Sequence, residues 1–162
     1  MTKVVILGAG NVARHLYLTF TWVKSISITQ IYNHKPKNLT FFKNMVPTTS
    51  NLLEIQQADI YILALKDHAI KDVSRKLKDY GGLVVHTSGS ISMEALSDFE
   101  NYGVFYPLQT FSKNKEVDFN EIPICLEANK DSNLEKLEKL AEAISSHVLR
   151  VNSQQRKALH IA

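Results

Sequence analysis

Short apolar runs alternate along the chain with longer segments in which apolar residues recur at helical spacing. The short runs predict buried strands, and the periodic segments predict amphipathic helices. Regular alternation of the two is typical of a mostly parallel sheet with helices on both faces. We therefore predict an α/β fold with a doubly wound sheet. The predicted strands span residues 4–7, 26–32, 58–65, 83–86, 104–106, 122–126 and 148–151.

The connecting segments carry signals for where their helices begin and end. Gly81 and Gly82 follow the second long periodic segment and predict its C-terminal end. The sequence SNLE at residues 132–135 has the capping-box pattern, which predicts Ser132 as the N-cap of the third long helix. The predicted helices span residues 12–23, 38–45, 51–55, 69–80, 92–96 and 132–144, and another helix opens at residue 153.

The sequence GAGNVA at residues 8–13 joins the first strand to the first helix. A GxGxxA pattern in this position is typical of a Rossmann-type dinucleotide-binding unit. The first glycine allows a tight turn, the second lets a pyrophosphate approach the backbone, and the alanine lets the helix pack closely on the sheet. The helix N-terminus offers free N–H groups to the phosphates. A purely structural glycine turn is the alternative. The predicted cofactor-binding residues here are Gly8, Gly10, Asn11 and Val12.

An absence of acids bears on which cofactor would bind. Residues 1–53 contain no Asp or Glu, although an NAD site usually has an acid at the end of the second strand. That strand is followed instead by NHKPK at residues 33–37. Amide, imidazole and ammonium groups suit a ribose 2′-phosphate, so we expect NADP in preference to NAD, with Asn33, His34 and Lys35 as ligands. A solvated basic loop is the alternative.

Bulk composition narrows the class of protein. A chain of 162 residues with 44% apolar content can bury one core. A net charge of +3 is too small to indicate nucleic-acid binding, and no apolar run approaches the ~20 residues of a membrane helix. The only cysteine, Cys125, has no partner for an internal disulfide, which favours a reducing cytoplasm. No metal-ligand spacing occurs, so no metal is expected.

Polar residues that follow the predicted strands are candidates for chemistry, because the carboxyl ends of parallel strands face the ligand crevice. Leu65 and Lys66 would lie along the adenosine and ribose side, and Asp67 is expected to cap the next helix. The Ser88 hydroxyl would hold a carboxamide or a substrate carbonyl, with an ordinary serine–glycine turn as the alternative. Gln109 lies in a loop fixed by proline, which suits a pocket wall or an apolar plug.

Several of these segments together resemble a known family. The chain is similar to bacterial Rossmann-like NADP oxidoreductases that carry a DUF2520 domain. They are related to pyrroline-5-carboxylate reductase, the F420-dependent NADP reductases and the 6-phosphogluconate dehydrogenase superfamily. The resemblance covers nearly the whole chain. It rests on residues 4–13, 65–67, HTSGS at 86–90, YPLQTF at 106–111 and RKALH at 156–160.

The resemblance implies how the chain is organised. In that family the Rossmann part is followed by a helical domain that completes the active-site cleft and mediates dimerisation. Residues 1–152 would then form the NADP-binding domain, and residues 153–162 would begin the helical domain of a longer, homodimeric protein. His160 would point toward the cleft. The candidate catalytic residues are Ser88, Gln109 and His160. Relatives often have Arg where this chain has His34 and Lys35, and His where it has Tyr106.

We expect the NADP(H)-binding domain of an oxidoreductase that transfers hydride between nicotinamide and a small carbonyl or imine substrate. The 162-residue chain by itself should bind the cofactor without turnover, because the wall that closes the cleft is missing. A non-catalytic module that senses the redox state of the nucleotide is the alternative. A methyltransferase that uses S-adenosylmethionine is disfavoured, because no acid follows the second strand to bind its ribose.

The basic segment after the second strand predicts a measurable cofactor preference. NADP(H) should bind on the order of tenfold more tightly than NAD(H), because a charge-assisted phosphate contact contributes roughly 1.5–3 kcal/mol. Lys35→Asp should weaken or reverse this preference. Calorimetric titration of both cofactors is the measurement, and equal affinities in the unmutated protein would contradict the prediction.

Overall fold

The computed structural model describes residues 1–162 and contains eight strands, four α-helices and four short 3₁₀ helices. The strands are β1 (Thr2–Leu7), β2 (Ile26–Tyr32), β3 (Thr48–Thr49), β4 (Ile60–Leu63), β5 (Leu83–His86), β6 (Tyr102–Pro107), β7 (Ile124–Ala128) and β8 (Val148–Arg150). The α-helices are α1 (Asn11–Phe20), α2 (Asp67–Lys76), α3 (Asp131–Glu142) and α4 (Ser153–Ile161). The 3₁₀ helices are Pro36–Phe42, Leu52–Glu54, Met93–Leu96 and Phe119–Glu121.

All eight strands belong to one sheet, in the order β3-β2-β1-β4-β5-β6-β7-β8. Every neighbouring pair is parallel except β6 and β7, which are antiparallel. β2 and β3 lie on one side of β1, and β4 to β8 lie on its other side. The carboxyl ends of β1 and β4 therefore flank the point where the strand order reverses, which is where open α/β sheets bind ligands. The predicted doubly wound, mostly parallel sheet is confirmed.

The core lies on both faces of the sheet. Val4 and Ile6 of β1 pack on one face with α1 and α3, while Val5 and Leu7 pack on the other with α2. All four side chains are fully buried. A central parallel strand covered on both faces has no polar side to show, which explains why β1 is a continuous apolar run.

The long helices end earlier than their apolar spacing predicts. α1 ends at Phe20 and α2 at Lys76. Leu77 and Tyr80 are therefore outside α2, yet Leu77 is buried and the Tyr80 ring stacks on Tyr61 with centroids 6.3 Å apart. The apolar spacing correctly marks residues that face the core, but the chain leaves the helix before the last of them.

The predicted capping box at Ser132 is wrong. α3 begins at Asp131, and no side chain caps it. Asn133 is buried, and its Nδ2 donates to Oδ1 of both Asn101 and Asn129, at 3.0 Å each. These contacts hold Asn133, in the first turn of α3, against Asn101 and Asn129.

Two further local expectations change in the structure. A capping box does occur, but at the start of α4, between Asn152 and Gln155. The helix expected over residues 38–45 is a 3₁₀ helix over Pro36–Phe42, and the two-residue strand β3 was not predicted.

None of the helices combines the length and the apolar character required to cross a membrane.

Gly8 is required by the turn that ends β1. Its φ is +129°, and a Cβ at this position would overlap the carbonyl group of Ala64. Its amide also donates to the Tyr32 carbonyl at 2.7 Å, which ties the turn to β2. Gly10 differs, because its φ is −84° and a Cβ added there would have no neighbour within 4 Å.

This contrast predicts that alanine destabilises the protein at Gly8 and is tolerated at Gly10. Gly8→Ala should lower the free energy of unfolding by more than about 1 kcal/mol, since it combines backbone strain with a steric overlap. Gly10→Ala is the matched control and should stay within about 0.5 kcal/mol of the unmutated protein. Urea denaturation of both variants measures this. Equal stability of the two variants would contradict the role assigned to Gly8.

Candidate functional site

The glycine turn leaves space and free donors at the start of α1. Gly10 is the N-cap, no side chain caps the helix, and its first turn contains no acid. The unpaired N–H groups of that turn therefore face open space next to Gly10. An uncapped helix N-terminus beside a residue without Cβ fits a pyrophosphate. Val12 is half-buried and packs against the core.

Asn11 has a different contact from the one expected for a phosphate ligand. Its side-chain Nδ2 donates to the Phe111 carbonyl at 3.3 Å. His15, one turn later, contacts the Ser112 carbonyl through Nε2 at 2.8 Å. Phe111 itself is buried and stacks on Phe119, with centroids 5.5 Å apart. Asn11 and His15 thus fasten the loop after β6 against the start of α1.

The segment after β2 presents its cations to solvent. Asn33 is buried, and its Oδ1 accepts from the Lys35 amide at 3.0 Å and from Asn38 Nδ2 at 3.2 Å. Asn33 therefore shapes the loop with its oxygen. His34 and Lys35 are exposed, and neither takes part in an ion pair.

The segment after β4 reaches the same edge of the sheet. Leu65 is half-buried, and Lys66 is exposed at the N-cap position of α2. Asp67 does not cap α2 as expected; its Oδ2 accepts from the Ser90 hydroxyl at 2.7 Å. Burial raises the pKa of Asp67, but hydrogen bonds from the neighbouring Ser90 and Ser88 outweigh it and lower the pKa overall.

Ser88 forms a tight turn directly after β5. Its Oγ accepts from the amides of Ser90 and Ile91, at 3.0 Å each, and the residue is nearly buried. The ordinary serine–glycine turn, which was the alternative for this segment, is therefore present. Both amides occupy the lone pairs of the oxygen, so the hydroxyl proton is left to donate to Asp67, to Ser90 Oγ, 3.4 Å away, or to a ligand.

His86 holds this turn in place through a hydrogen bond to the Ser88 amide. The residue is fully buried, its Nδ1 accepts from the Ser88 amide at 3.1 Å, and its Nε2 faces the Ser92 carbonyl at 3.2 Å. An amide donor at one nitrogen and a carbonyl at the other fix the neutral Nε2–H tautomer. Burial lowers the pKa of His86 to about 4. His86 is a positioning residue for the Ser88 turn.

A buried arginine fixes α4 above these loops. Arg156 is fully buried; Nη1 donates to Glu127 Oε1 at 3.2 Å, and Nη2 donates to the Ile91 carbonyl. Ser153 donates to the same Glu127 oxygen at 2.9 Å. The sequence pattern marked Arg156 only as part of a motif and did not predict this role. The signal was its spacing of four residues from His160, which puts both on one face of α4.

His160 meets Tyr106 above Gly89. The Tyr106 hydroxyl and His160 Nδ1 are 2.8 Å apart, and the rings are edge to face with centroids 5.7 Å apart. A Cβ on Gly89 would overlap the His160 ring and lie 2.8 Å from Tyr106 Cζ. Burial raises the pKa of Tyr106. The structure thus brings Tyr106 and His160 together with the turn that contains Ser88.

The remaining candidates stand apart from this group. Gln109 is exposed and its side chain makes no hydrogen bond, so it lies on the loop that Phe111 anchors without joining Ser88 or His160. Cys125 is buried, and burial raises the pKa of its thiol. No cluster of three or more His, Cys, Asp or Glu side chains is placed to hold a metal ion.

Comparisons with known proteins place the chain among oxidoreductases that bind nicotinamide cofactors and share its fold. A family model described as "NADP oxidoreductase coenzyme F420-dependent" matches residues 3–88, and a domain of unknown function, DUF2520, matches residues 122–162. A solved structure from Bacteroides fragilis, to which an NADP oxidoreductase function has been attributed, is 35% identical with a TM-score of 0.86. That match covers 99% of this chain and 64% of the other. Comparison with curated proteins gives no match.

Two more distant structures share the fold. Prephenate dehydrogenase from A. aeolicus, solved with hydroxyphenyl propionate and NAD⁺, is 12% identical with a TM-score of 0.83, over 96% of this chain and 62% of that one. Pyrroline carboxylate reductase from Plasmodium falciparum, solved with NADP, is 13% identical with a TM-score of 0.74, over 95% and 59%. The chain spans less than two thirds of each of the three relatives.

The burial of His86 predicts acid-sensitive stability. Its pKa is about 4 in the folded protein and ordinarily 6.5, so between these values the unfolded chain binds a proton that the folded protein does not. The free energy of unfolding should be highest above pH 6.5 and fall by roughly 3 kcal/mol as the pH approaches 4. Urea denaturation across this range measures the slope. His86→Asn keeps an acceptor without the titration and should flatten it; an unchanged slope would rule out His86 as the cause.

Proposed function

The chain belongs to the NADP oxidoreductase family described as coenzyme F420-dependent, and we propose that it binds NADP(H) for hydride transfer to or from a small carbonyl or imine substrate. The observation that carries the proposal is the His160–Tyr106 hydrogen bond above Gly89. It sets a proton-bearing pair at the same edge of the sheet as the open glycine turn. The family supports an NADP-binding oxidoreductase domain, and the substrate class is our inference.

The proposed binding mode follows from the contacts at the glycine turn and the basic segment. The pyrophosphate would lie beside Gly10 and accept from the free N–H groups of α1. The ribose 2′-phosphate would meet His34 and Lys35, which are exposed and not paired with any acid. Relatives have been solved with NAD⁺ and with NADP, so the choice of NADP rests on the basic segment of this chain.

The proposed chemistry divides between cofactor and protein. Bound NADPH supplies a hydride from its nicotinamide ring. Reduction of a carbonyl or imine also needs a proton at the substrate oxygen or nitrogen, and the Tyr106–His160 pair holds one between hydroxyl oxygen and Nδ1. His160 is exposed, so its other nitrogen can exchange protons with water. Ser88 would donate its hydroxyl proton to the carboxamide or substrate carbonyl, and Gln109 would contact the substrate from the loop.

The whole protein would extend beyond this arrangement. We propose that residues 153–162 begin a helical domain that closes the cleft and mediates homodimerisation, and that the protein acts in the cytoplasm. The Tyr106–His160 pair is open on one side, because the His160 side chain is exposed. A substrate bound there needs a further wall to exclude water. The isolated chain is therefore proposed to bind NADP(H) without turnover.

Turnover by the full-length protein tests the proposal. NADPH oxidation should be observed with a member of a panel of small carbonyl and imine compounds. Tyr106→Phe removes the hydroxyl but keeps the ring over Gly89, and should lower kcat by about a hundredfold with an unchanged Kd for NADPH. Tyr80→Phe is the matched control, since Tyr80 precedes β5 at the opposite edge of the sheet, and should leave kcat unchanged.

Other results would favour other functions. Tight NADPH binding without turnover of any compound in the panel would favour the non-catalytic redox-sensing module. Binding of S-adenosylmethionine without binding of NADPH would favour a methyltransferase. Full activity of Tyr106→Phe would remove the pair from the mechanism while leaving hydride transfer in place.

A further inference from the structure

Arg14 carries a charge that the protein does not pair. Its Nε atom is buried and has no hydrogen-bond partner. None of the ion pairs in the structure includes Arg14, and its guanidinium makes no hydrogen bond to the protein. A partly buried cation with an unsatisfied donor costs free energy. The two terminal nitrogens make no hydrogen bond either, and Arg14 is only half-buried, so an acceptor from outside the chain can reach that end of the guanidinium.

The guanidinium lies over an aromatic ring. Its central carbon lies 4.5 Å from the centroid of the Phe41 ring. Phe41 in turn packs edge to face on Phe42, with centroids 5.0 Å apart, and Phe42 is fully buried against Tyr17. A cation–π contact with a ring that is itself packed in place favours one position of the guanidinium and so limits the entropy lost when it binds a ligand.

The location of Arg14 links two segments of the proposed cofactor site. Arg14 lies in the first turn of α1, where its amide donates to the Gly10 carbonyl at 3.0 Å. Phe41 belongs to the 3₁₀ helix Pro36–Phe42, which begins directly after Lys35. The guanidinium thus lies between the glycine turn and the basic segment that follows β2.

The chain segments on both sides of this corner carry basic side chains and no acid. His34, Lys35 and Lys37 are exposed on the segment after β2, and no acid precedes Glu54 in the chain. Glu54 itself accepts from the Thr49 hydroxyl at 2.9 Å. Arginine offers two parallel N–H donors that match two phosphate oxygens, whereas lysine and histidine offer point contacts.

We propose that Arg14 binds the ribose 2′-phosphate of NADP(H) and is the main residue that selects it over NAD(H). This inference rests on the proposed function, because it assumes that the dinucleotide lies along the glycine turn. Asn11 and His15 engage the loop after β6, so the flank of α1 that carries Arg14 is the one turned toward Phe41 and the basic segment. In the proposed binding mode, the pyrophosphate accepts hydrogen bonds from the backbone N–H groups of α1. The guanidinium is therefore free to bind the 2′-phosphate.

Binding measurements on the 162-residue chain test this without any activity assay. The probes are NADPH, NADH, adenosine 2′,5′-bisphosphate and 5′-AMP, each titrated calorimetrically. Arg14→Gln keeps a planar polar group on Phe41 without the charge, and should weaken NADPH and the bisphosphate by about tenfold or more. NADH and 5′-AMP, which lack the 2′-phosphate, should change less than about twofold. Arg14→Lys keeps the charge without the paired donors and should fall between Arg14→Gln and the unmutated protein.

Arg75→Gln is the matched control, since Arg75 is exposed near the end of α2, and should leave all four affinities unchanged. Thermal melting of each variant confirms that it is folded. An equal loss for NADPH and NADH in Arg14→Gln would overturn the proposal, because it would place the contact at the pyrophosphate or in the fold. Unchanged affinities would overturn it as well. If the unmutated chain binds NADPH and NADH equally well, the inference fails together with the expected preference for NADP(H), while dinucleotide binding and hydride transfer remain. If it binds none of the probes, the proposed function fails as well.

Discussion

The close approach of β1 to β4 at Gly8 is the constraint on which the site depends. Because Gly8 has no Cβ, its backbone passes against the Ala64 carbonyl, and the Ala64 amide donates to Leu7 at 2.8 Å. The Gly8 amide is bonded to Tyr32 at the end of β2. Three strands therefore end at one level, and the glycine turn, the basic segment after β2 and the segment after β4 share one edge of the sheet. A side chain at Gly8 would separate them.

The ion pair between Arg156 and Glu127 holds the other end of the site. Arg156 and Glu127 form an ion pair in which the arginine is fully buried, and such pairs contribute little net stability because both charges lose hydration. The ion pair instead determines where α4 lies. Since Glu127 lies on β7 and the Ile91 carbonyl lies in the loop after β5, Arg156 can satisfy both only if α4 lies across them. His160, four residues later on the same helix, is then held against Tyr106.

The two ends of the site differ in charge and in hydration. The Arg14 and Lys35 side chains form no ion pair and reach solvent, which suits a highly charged phosphate. Around His86 and Tyr106 the groups are buried and neutral at ordinary pH, because burial lowers the pKa of the one and raises that of the other. In the proposed binding mode, electrostatic selection would belong to the end that holds the adenosine, and hydrogen-bond geometry to the end that holds the substrate.

The sequence by itself determined the sheet, the glycine turn and the basic segment, because each is encoded by neighbouring residues. A parallel strand buried on both faces is an apolar run, and a turn at positive φ needs a glycine such as Gly8. Tertiary structure decided the features that join distant residues. Asn101 accepts from Asn133 at the start of α3, Phe41 lies against the Arg14 guanidinium, and Tyr106 meets His160 across 54 positions. No local pattern encodes these contacts, because they exist only once the sheet has brought the carboxyl ends of its strands together.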